Sequence, residues 1–304
     1  MNTRTFPPLL ALALIAATSA VGVADDATAV AVSANATAAE SYLLRFQFEP
    51  GQTLRYQSSQ TTNQQATTTK ATKTDISKVE QRRLFTVGEM DEDGAAEIAM
   101  QFEHVRMQVG SNGQAPVVFD STMKPNKVPA QFRGTAAQLK RVASRFQVQP
   151  KGTPVSDEGV EQIAKGGQAS FLIPLPTKPV AVGESWNVYM PVQVRLAEKV
   201  MREITLLRSY RLKSVDDGVA KIVFFTSIES PVKSPFVKGQ LVQATPSGII
   251  LFDIANGQVL RKEIKIDKSV LGAMGASTIL SVTSHTVERL LTEEETADPK
   301  VTAR

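Results

Sequence analysis

Apolar and polar positions alternate along most of the chain. Leu44, Phe46 and Phe48 alternate with Arg45 and Gln47, and Leu54 and Tyr56 resume the pattern after the turn signal Pro50-Gly51. A period of two puts successive side chains on opposite faces of a half-buried strand. From 58 to 74 the chain is almost all Thr, Gln, Ser and Lys. A mobile loop and the solvated far end of a long hairpin both fit this stretch, and the β-propensity of Thr favours the hairpin. Strand pattern returns from Val79 through Leu84-Phe85-Thr86-Val87, and Asp91-Glu92-Asp93-Gly94 is a hairpin turn. Ile98, Met100 and Phe102 alternate next, and Val105, Met107 and Val109 continue one residue out of phase. That slip predicts a β-bulge near Glu103-His104.

Helical spacing is confined to the middle. After Pro129, Leu139, Val142, Ala143 and Phe146 recur at three- and four-residue intervals, with Arg133, Lys140, Arg141 and Arg145 on the opposite face. Residues 147–155 read as a hairpin around Pro150-Lys151-Gly152, and a short helix is expected over 158–164, stopped by Gly166-Gly167. Pro174, Pro176 and Pro179 mark an extended lead-in to a strand opened by Gly183-Glu184-Ser185-Trp186, in which Val188, Met190, Val192 and Val194 alternate. Asp216-Asp217-Gly218 is another hairpin turn. Strands follow at 220–226, 249–252, 259–266 and 278–290, and the polar chain beyond Glu293 is expected to be loose.

These elements predict a mainly β protein of the α+β class, with two similar halves of antiparallel curved sheet and two or three short helices between them. The first half covers 41–173 with helices near 129–165, the second covers 174–292, and 293–304 form an acidic, polar tail. The likeness of the halves rests on three landmarks. Gly51-Gln52-Thr53-Leu54 resembles Gly183-Glu184-Ser185-Trp186, Phe119-Asp120 matches Phe252-Asp253, and the stretch through Asp93-Gly94 resembles that through Asp217-Gly218.

The same landmarks carry a resemblance to a known family. Gly51-Gln52-Thr53-Leu54, Phe119-Asp120-Ser121, the run Lys178-Pro179-Val180-Ala181-Val182-Gly183-Glu184-Ser185-Trp186 and the closing Phe252-Asp253 with Asn256-Gly257 resemble a family of exported bacterial proteins of unknown function, frequent in planctomycetes. The resemblance covers most of 42–291 and implies export. The family has no assigned activity, so it implies no site residues.

The N-terminus gives the same address. Arg4 precedes the apolar run Leu9-Leu10-Ala11-Leu12-Ala13-Leu14-Ile15-Ala16-Ala17, small residues follow to Ala24, and no acid occurs before Asp25. This is the pattern of a secretory signal over 1–24, with cleavage after Ala24 or alternatively after Ala20. Its apolar run is shorter than the ~20 residues that span a bilayer. Residues 25–40, rich in Ala, Thr, Val and Ser, read as a flexible mature N-terminus. The mature chain is expected to be soluble and periplasmic or extracellular. Its formal charge falls from +4 to +3 with the loss of Arg4, and its basic residues are scattered, which disfavours nucleic acid as a partner. The chain has no cysteine, which excludes disulfides, thiolate metal sites and a lipid-modified N-terminal cysteine.

Candidate chemistry is sparse. His104 and His285 each lie in strand pattern without ligand spacing around them, and no Gly-x-Ser-x-Gly elbow or phosphate loop occurs. No catalytic, cofactor or metal-binding residue is assigned. Trp186, the single tryptophan, reads as a core anchor in preference to a ligand-stacking residue. Leu271 and Met274, at and within the Gly-rich segment 272–276, are the candidate ligand-binding residues and are expected to be at least partly buried against the protein's own sheet. The expected function is that of an exported, non-catalytic envelope protein holding an apolar or amphipathic ligand, such as a lipid, between curved sheets. The alternative is an interaction module for another envelope component, without a ligand cavity.

Overall fold

A computed structural model describes residues 40–139, 142–155, 171–197 and 200–297. Its strands are β1 (Ser41–Tyr42), β2 (Thr53–Thr67), β3 (Thr72–Met90), β4 (Ala96–Ser111), β5 (Val117–Asp120), β6 (Val142–Val148), β7 (Val180–Ala181), β8 (Ser185–Ala197), β9 (Val200–Asp216), β10 (Val219–Ile228), β11 (Ser247–Asp253), β12 (Gln258–Leu271) and β13 (Ile279–Leu290). The described helices are short: α1 (Arg133–Gln138), α2 (Pro235–Leu241) and α3 (Glu293–Ala297). None is long and apolar enough to cross a membrane. The protein is mainly antiparallel β-sheet with few short helices.

Eleven strands form one sheet in the order β5-β4-β3-β2-β13-β12-β11-β10-β9-β8, with β6 also on β4. The Thr- and Gln-rich stretch is the far end of a long hairpin, β2 pairing β3 from Thr53↔Thr86 to Thr67↔Thr72. The phase slip after Phe102 is a bulge, since Arg83 faces Phe102 while Arg82 faces His104, leaving Glu103 as the extra residue. Asp217 and Gly218 both have positive φ in the two-residue turn between β9 and β10, the geometry that suits the right-handed twist of a hairpin.

The sheet closes on a plug from outside it. Residues 42–48 and 171–175 carry Leu44, Phe46, Phe48, Phe171, Ile173 and Leu175 into one core with residues from β2, β3, β4 and β6 and from β8 to β12. Phe171 lies 4.5 Å from the Phe85 ring and 5.2 Å from Tyr56, while Phe46 meets Phe252 edge-on at 5.5 Å. In a flat sheet β4 and β8 would stand about 40 Å apart. A shared core around two chain segments therefore requires the sheet to curl around them. The plug is tied in by its backbone: Phe46 N donates to Pro150 O (2.7 Å), Leu175 N to Lys151 O (2.8 Å), and β1 pairs β7.

Several expectations are corrected. Val142 to Val148 is strand, not helix. Phe146 and Val148 point inward and Arg145 and Gln147 outward, so the residues fit a period of two as well as one of four. Pairing with the free edge of β4 decides between them. Arg133 therefore sits on α1 and Arg145 on β6, ion-paired with Glu97 at 2.7 Å, and they share no helical face. Lys140, Arg141 and the helix expected at 158–164 lie outside the described residues. The tail is helical over Glu293–Ala297, because Thr292 and Glu295 form a reciprocal cap: Glu295 N donates to Thr292 Oγ1 and Thr292 N to Glu295 Oε2. The Phe119-Asp120 landmark also fails, because those residues pair with Met107 and Arg106. The strand placed on β4 as β11 is placed on β10 is β6, with Ala96↔Val148 and Ile98↔Phe146 matching Ala220↔Phe252 and Ile222↔Ile250.

Candidate functional site

The sheet has a gap. β10 ends at Ile228, and β11 begins at Ser247 opposite Lys265, while β12 runs on to Leu271. Beyond Ser247 no β11 residue stands between β10 and β12, and the connection 229–246 occupies that place. Ser234-Pro235 starts α2, with proline at the first helical position, where its fixed φ suits the helix. Val237 and Leu241, one turn apart, pack on Val192, Val194, Ile204 and Leu206 of β8 and β9. Val242 packs on the other side against Ala273, Leu280 and Val282. Gly239 permits this approach, since a Cβ there would stand 2.7 Å from the Ala273 Cβ. Gln240 fixes α2 to the edge strand through both backbone groups of Arg195.

A groove of about 340 Å³ remains between this cover and the sheet. Ile228, Leu241, Val242 and Val270 give it apolar walls, and Lys238 and Lys268 stand at its border. The Thr245 hydroxyl in its lining is engaged by the carbonyls of Leu241 and Val242, each at 3.2 Å. Partial burial lowers the pKa of Lys268. The volume lies at the low end of the ~300–1,000 Å³ of small-molecule sites.

Between this groove and the aromatic core lies a buried charged cluster. Glu288 of β13 bonds Arg83 of β3 across β2, and Lys262 of β12 approaches the same carboxylate at 4.0 Å. Arg208 of β9 donates to Thr226 Oγ1 at 2.9 Å and lies over the Phe224 ring. Burial drives the Lys262 pKa down to about 8, with Glu288 opposing and Arg83 and Arg208 adding to the fall. Tyr56, beside them, donates to Val259 O at 2.8 Å, and burial raises its pKa well above 10.0.

The residues singled out from sequence are placed as follows. Leu271, at 69% exposed, does not pack on the sheet as expected, and Met274, at 38%, is only partly covered. Ala273, at 4%, and Val270 turn inward instead. Positive φ at Gly272 and Gly275, with Met274 N and Gly275 O both bonded to Thr278 Oγ1, folds the tip so that Ala273 turns in while Leu271 and Met274 face outward. Trp186 is a structural anchor: its Nε1 donates to Pro174 O at 2.9 Å and its ring stacks on Tyr210. His104 faces Asp120 at 3.3 Å and His285 faces Glu263 at 2.9 Å. The Lys265 and His285 hydrogen bonds hold the Glu263 pKa at about 2. These are pairs only; among the described residues no three His, Asp or Glu side chains gather around a common point.

The space between the curved halves, expected to hold a ligand, is filled by Phe46, Phe171 and their neighbours. The groove lies instead beside 229–246, where the strand alternation predicts no element. Ser234-Pro235 with Val237 and Leu241 four apart is a helix-start signal that could have found it.

No family model matches this chain, and no curated protein matches it. Solved structures that resemble it distantly include two with low TM-scores. One, titled as showing lipid-protein interactions in lipovitellin, aligns with a TM-score of 0.46 and 9% identity over 81% of this chain. This chain spans 26% of that protein's length. The other, DynF from the dynemicin biosynthesis pathway of Micromonospora chersina, aligns with a TM-score of 0.22 and 5% identity over 88% of this chain and 96% of that one. Scores this low carry no statement about what this chain binds.

Proposed function

We propose that this chain is an exported, non-catalytic envelope protein that binds one single-chain anionic amphiphile in the groove between β10, β12 and α2. One observation carries the reading: apolar walls from Ile228, Leu241, Val242 and Val270 bordered by Lys238 and Lys268. An apolar tail gains by leaving water against such walls, and an anionic head group matches the two ammonium groups. Export rests on the signal pattern of 1–24 and on the resemblance to exported planctomycete proteins. Duplication of an ancestral half rests on the matching registers of β6 on β4 and β11 on β10.

Native mass spectrometry of the chain purified from its own host, followed by lipid extraction, tests the reading. It predicts a mature chain beginning at Asp25 and carrying one amphiphile of low mass. An empty chain that takes up no added amphiphile contradicts the binding claim, and a chain retaining residues 1–24 contradicts cleavage of the signal.

A second reading has its own observation. Phe225 is 58% exposed on the outer face of β10, and Ile249 on β11 is also exposed, an apolar stretch that suits a protein partner. If a partner rather than an amphiphile is the ligand, Phe225→Ser abolishes its capture while leaving the groove unaffected.

A further inference from the structure

The strand registers divide the sheet into two unlike ends. The β2–β3, β8–β9 and β12–β13 connections emerge at one end, together with the α2 insertion. The β3–β4, β9–β10 and β11–β12 turns emerge at the other. That second end carries Asp91-Glu92-Asp93-Gly94 and Asp216-Asp217-Gly218, the polar and acidic chemistry expected of hairpin tips.

The first end breaks that rule. Val200 and Met201 at the β8–β9 tip, Phe236 on α2 and Leu271 and Ile279 at the β12–β13 tip are all exposed, Met201 at 55%. They do not project from independent loops. Gln240 binds α2 to Arg195 beside the β8–β9 tip, and Gly272 lies against Pro235, with 3.3 Å from an added Cβ to the proline ring. Phe236 is thus held next to the Leu271 tip, and the apolar side chains project from one braced rim.

The rim is also basic. Lys70, Lys73, Arg195, Arg202, Lys233 and Lys238 surround it, against Asp75, Glu203, Glu229 and Asp267. Asp75 is ion-paired with Lys73 at 3.3 Å, which leaves five basic groups against three acidic ones. A chain with a formal charge of only +4 thus sets apolar tips among a local excess of basic groups at one end and carries acidic turns at the other.

We infer that this rim docks on an anionic lipid bilayer, with Met201, Phe236 and Leu271 entering the interface and the surrounding lysines and arginines meeting lipid phosphates. Apolar insertion and a basic rim are the two signals that together give stable peripheral binding. The acidic turns at the far end orient the molecule, since they are repelled by the same surface. The inference goes beyond amphiphile binding and does not rest on it, although docking would bring the groove, whose Val270 adjoins Leu271, to the bilayer.

Flotation of the purified chain with phosphatidylcholine vesicles, with and without phosphatidylglycerol, tests the inference. The expected result is flotation with the anionic vesicles, at least ~10-fold tighter than with neutral ones and weakened by salt. The triple variant Met201→Ser/Phe236→Ser/Leu271→Ser and the variant Lys233→Glu/Lys238→Glu should each lose ~10-fold or more. Their target residues are solvent-facing, and an unchanged melting temperature verifies that each variant folds. Phe225→Ser, on the outer face, should float like the parent. Failure of the parent to bind anionic vesicles overturns the inference. So does a folded triple variant that binds as the parent does, or an equal loss from Phe225→Ser. Retention of a monomeric amphiphile by a chain that fails to float would leave the groove reading standing and remove the rim.

Discussion

The side chain of Gln240 pairs with Arg195 as a neighbouring strand would. Its Oε1 accepts the Arg195 amide at 2.9 Å and its Nε2 donates to the Arg195 carbonyl at 2.8 Å. β8 is the last strand of the sheet, so this amide both caps an open edge and anchors the cover of the groove. Gln240→Ala should cost about 1 kcal/mol, the net worth of a pair of partly solvated hydrogen bonds. The loss should be local: hydrogen exchange should quicken in α2 and amphiphile affinity should fall, while the aromatic core keeps its protection. Unchanged exchange in α2 would show that Gln240 does not anchor the cover.

Gly152 is the tightest point of the plug. Its φ is +76°, and an added Cβ would stand 2.1 Å from the Ile173 carbonyl oxygen and 2.7 Å from the Phe46 ring. Backbone at that distance cannot yield cheaply. Gly152→Ala should destabilise the fold by more than the ~1 kcal/mol of an ordinary glycine effect, read as a clear drop in melting temperature. Gly113→Ala is the control, since its positive φ meets no neighbour within 4 Å. Equal losses at the two sites would refute close packing of the turn against the plug.

The buried cluster makes stability depend on alkaline pH in a particular direction. Lys262 titrates at about 8 in the fold and at its ordinary 10.5 when unfolded. Below 8 both states hold the proton and the cost of burying the charge is fully present. Between 8 and 10.5 the unfolded chain binds more protons, so stability rises with pH at up to ~1.4 kcal/mol per unit. Tyr56 and Tyr210 act oppositely, since burial raises their pKa above 10.0 and the unfolded phenols ionise first. The expected profile climbs from pH 8 and turns over above about 10. Lys262→Met should remove the climb. Glu288→Gln should cost about 3–5 kcal/mol by leaving Arg83 and Lys262 buried without their carboxylate. A stability curve flat from pH 8 to 10 in the parent would contradict the assignment of Lys262.

The β12–β13 tip separates the sequence expectation from the structure. Burial of Leu271 and Met274 would make Leu271→Asp/Met274→Asp destabilising. Their exposure predicts a melting temperature close to that of the parent, whereas Ala273→Asp should cost ~2 kcal/mol or more by placing a charge against Val242, Leu280 and Val282. Thermal melts of the two variants decide between these outcomes.

What could be read from sequence follows from what period two encodes. Phe85, Val87, Ile98 and Met100 face the core because alternation assigns each strand residue a side, and the phase slip at Glu103 registered the bulge for the same reason. Alternation does not encode which edges meet. Whether Phe146 belonged to a helix or a strand depended on the free edge of β4, over forty residues away along the chain. The groove was hidden for a related reason: it exists because β10 and β11 stop short while β12 continues, a relation among three strands that no local window contains. At the 272–276 tip the composition was informative but the side was not, because positive φ at Gly272 and Gly275 breaks the alternation that tells inward from outward.

Calorimetric titration of the purified chain with dodecanoate tests the amphiphile site most directly. Saturable binding of one molecule per chain is the expected result. At least ~10-fold weaker binding, a change of ~1.4 kcal/mol, is expected in Lys268→Glu, which reverses a charge at the groove's border, and in Val270→Trp, which fills its wall. A parent that shows no saturable binding, or folded variants that both bind dodecanoate as the parent does, would contradict the proposed site.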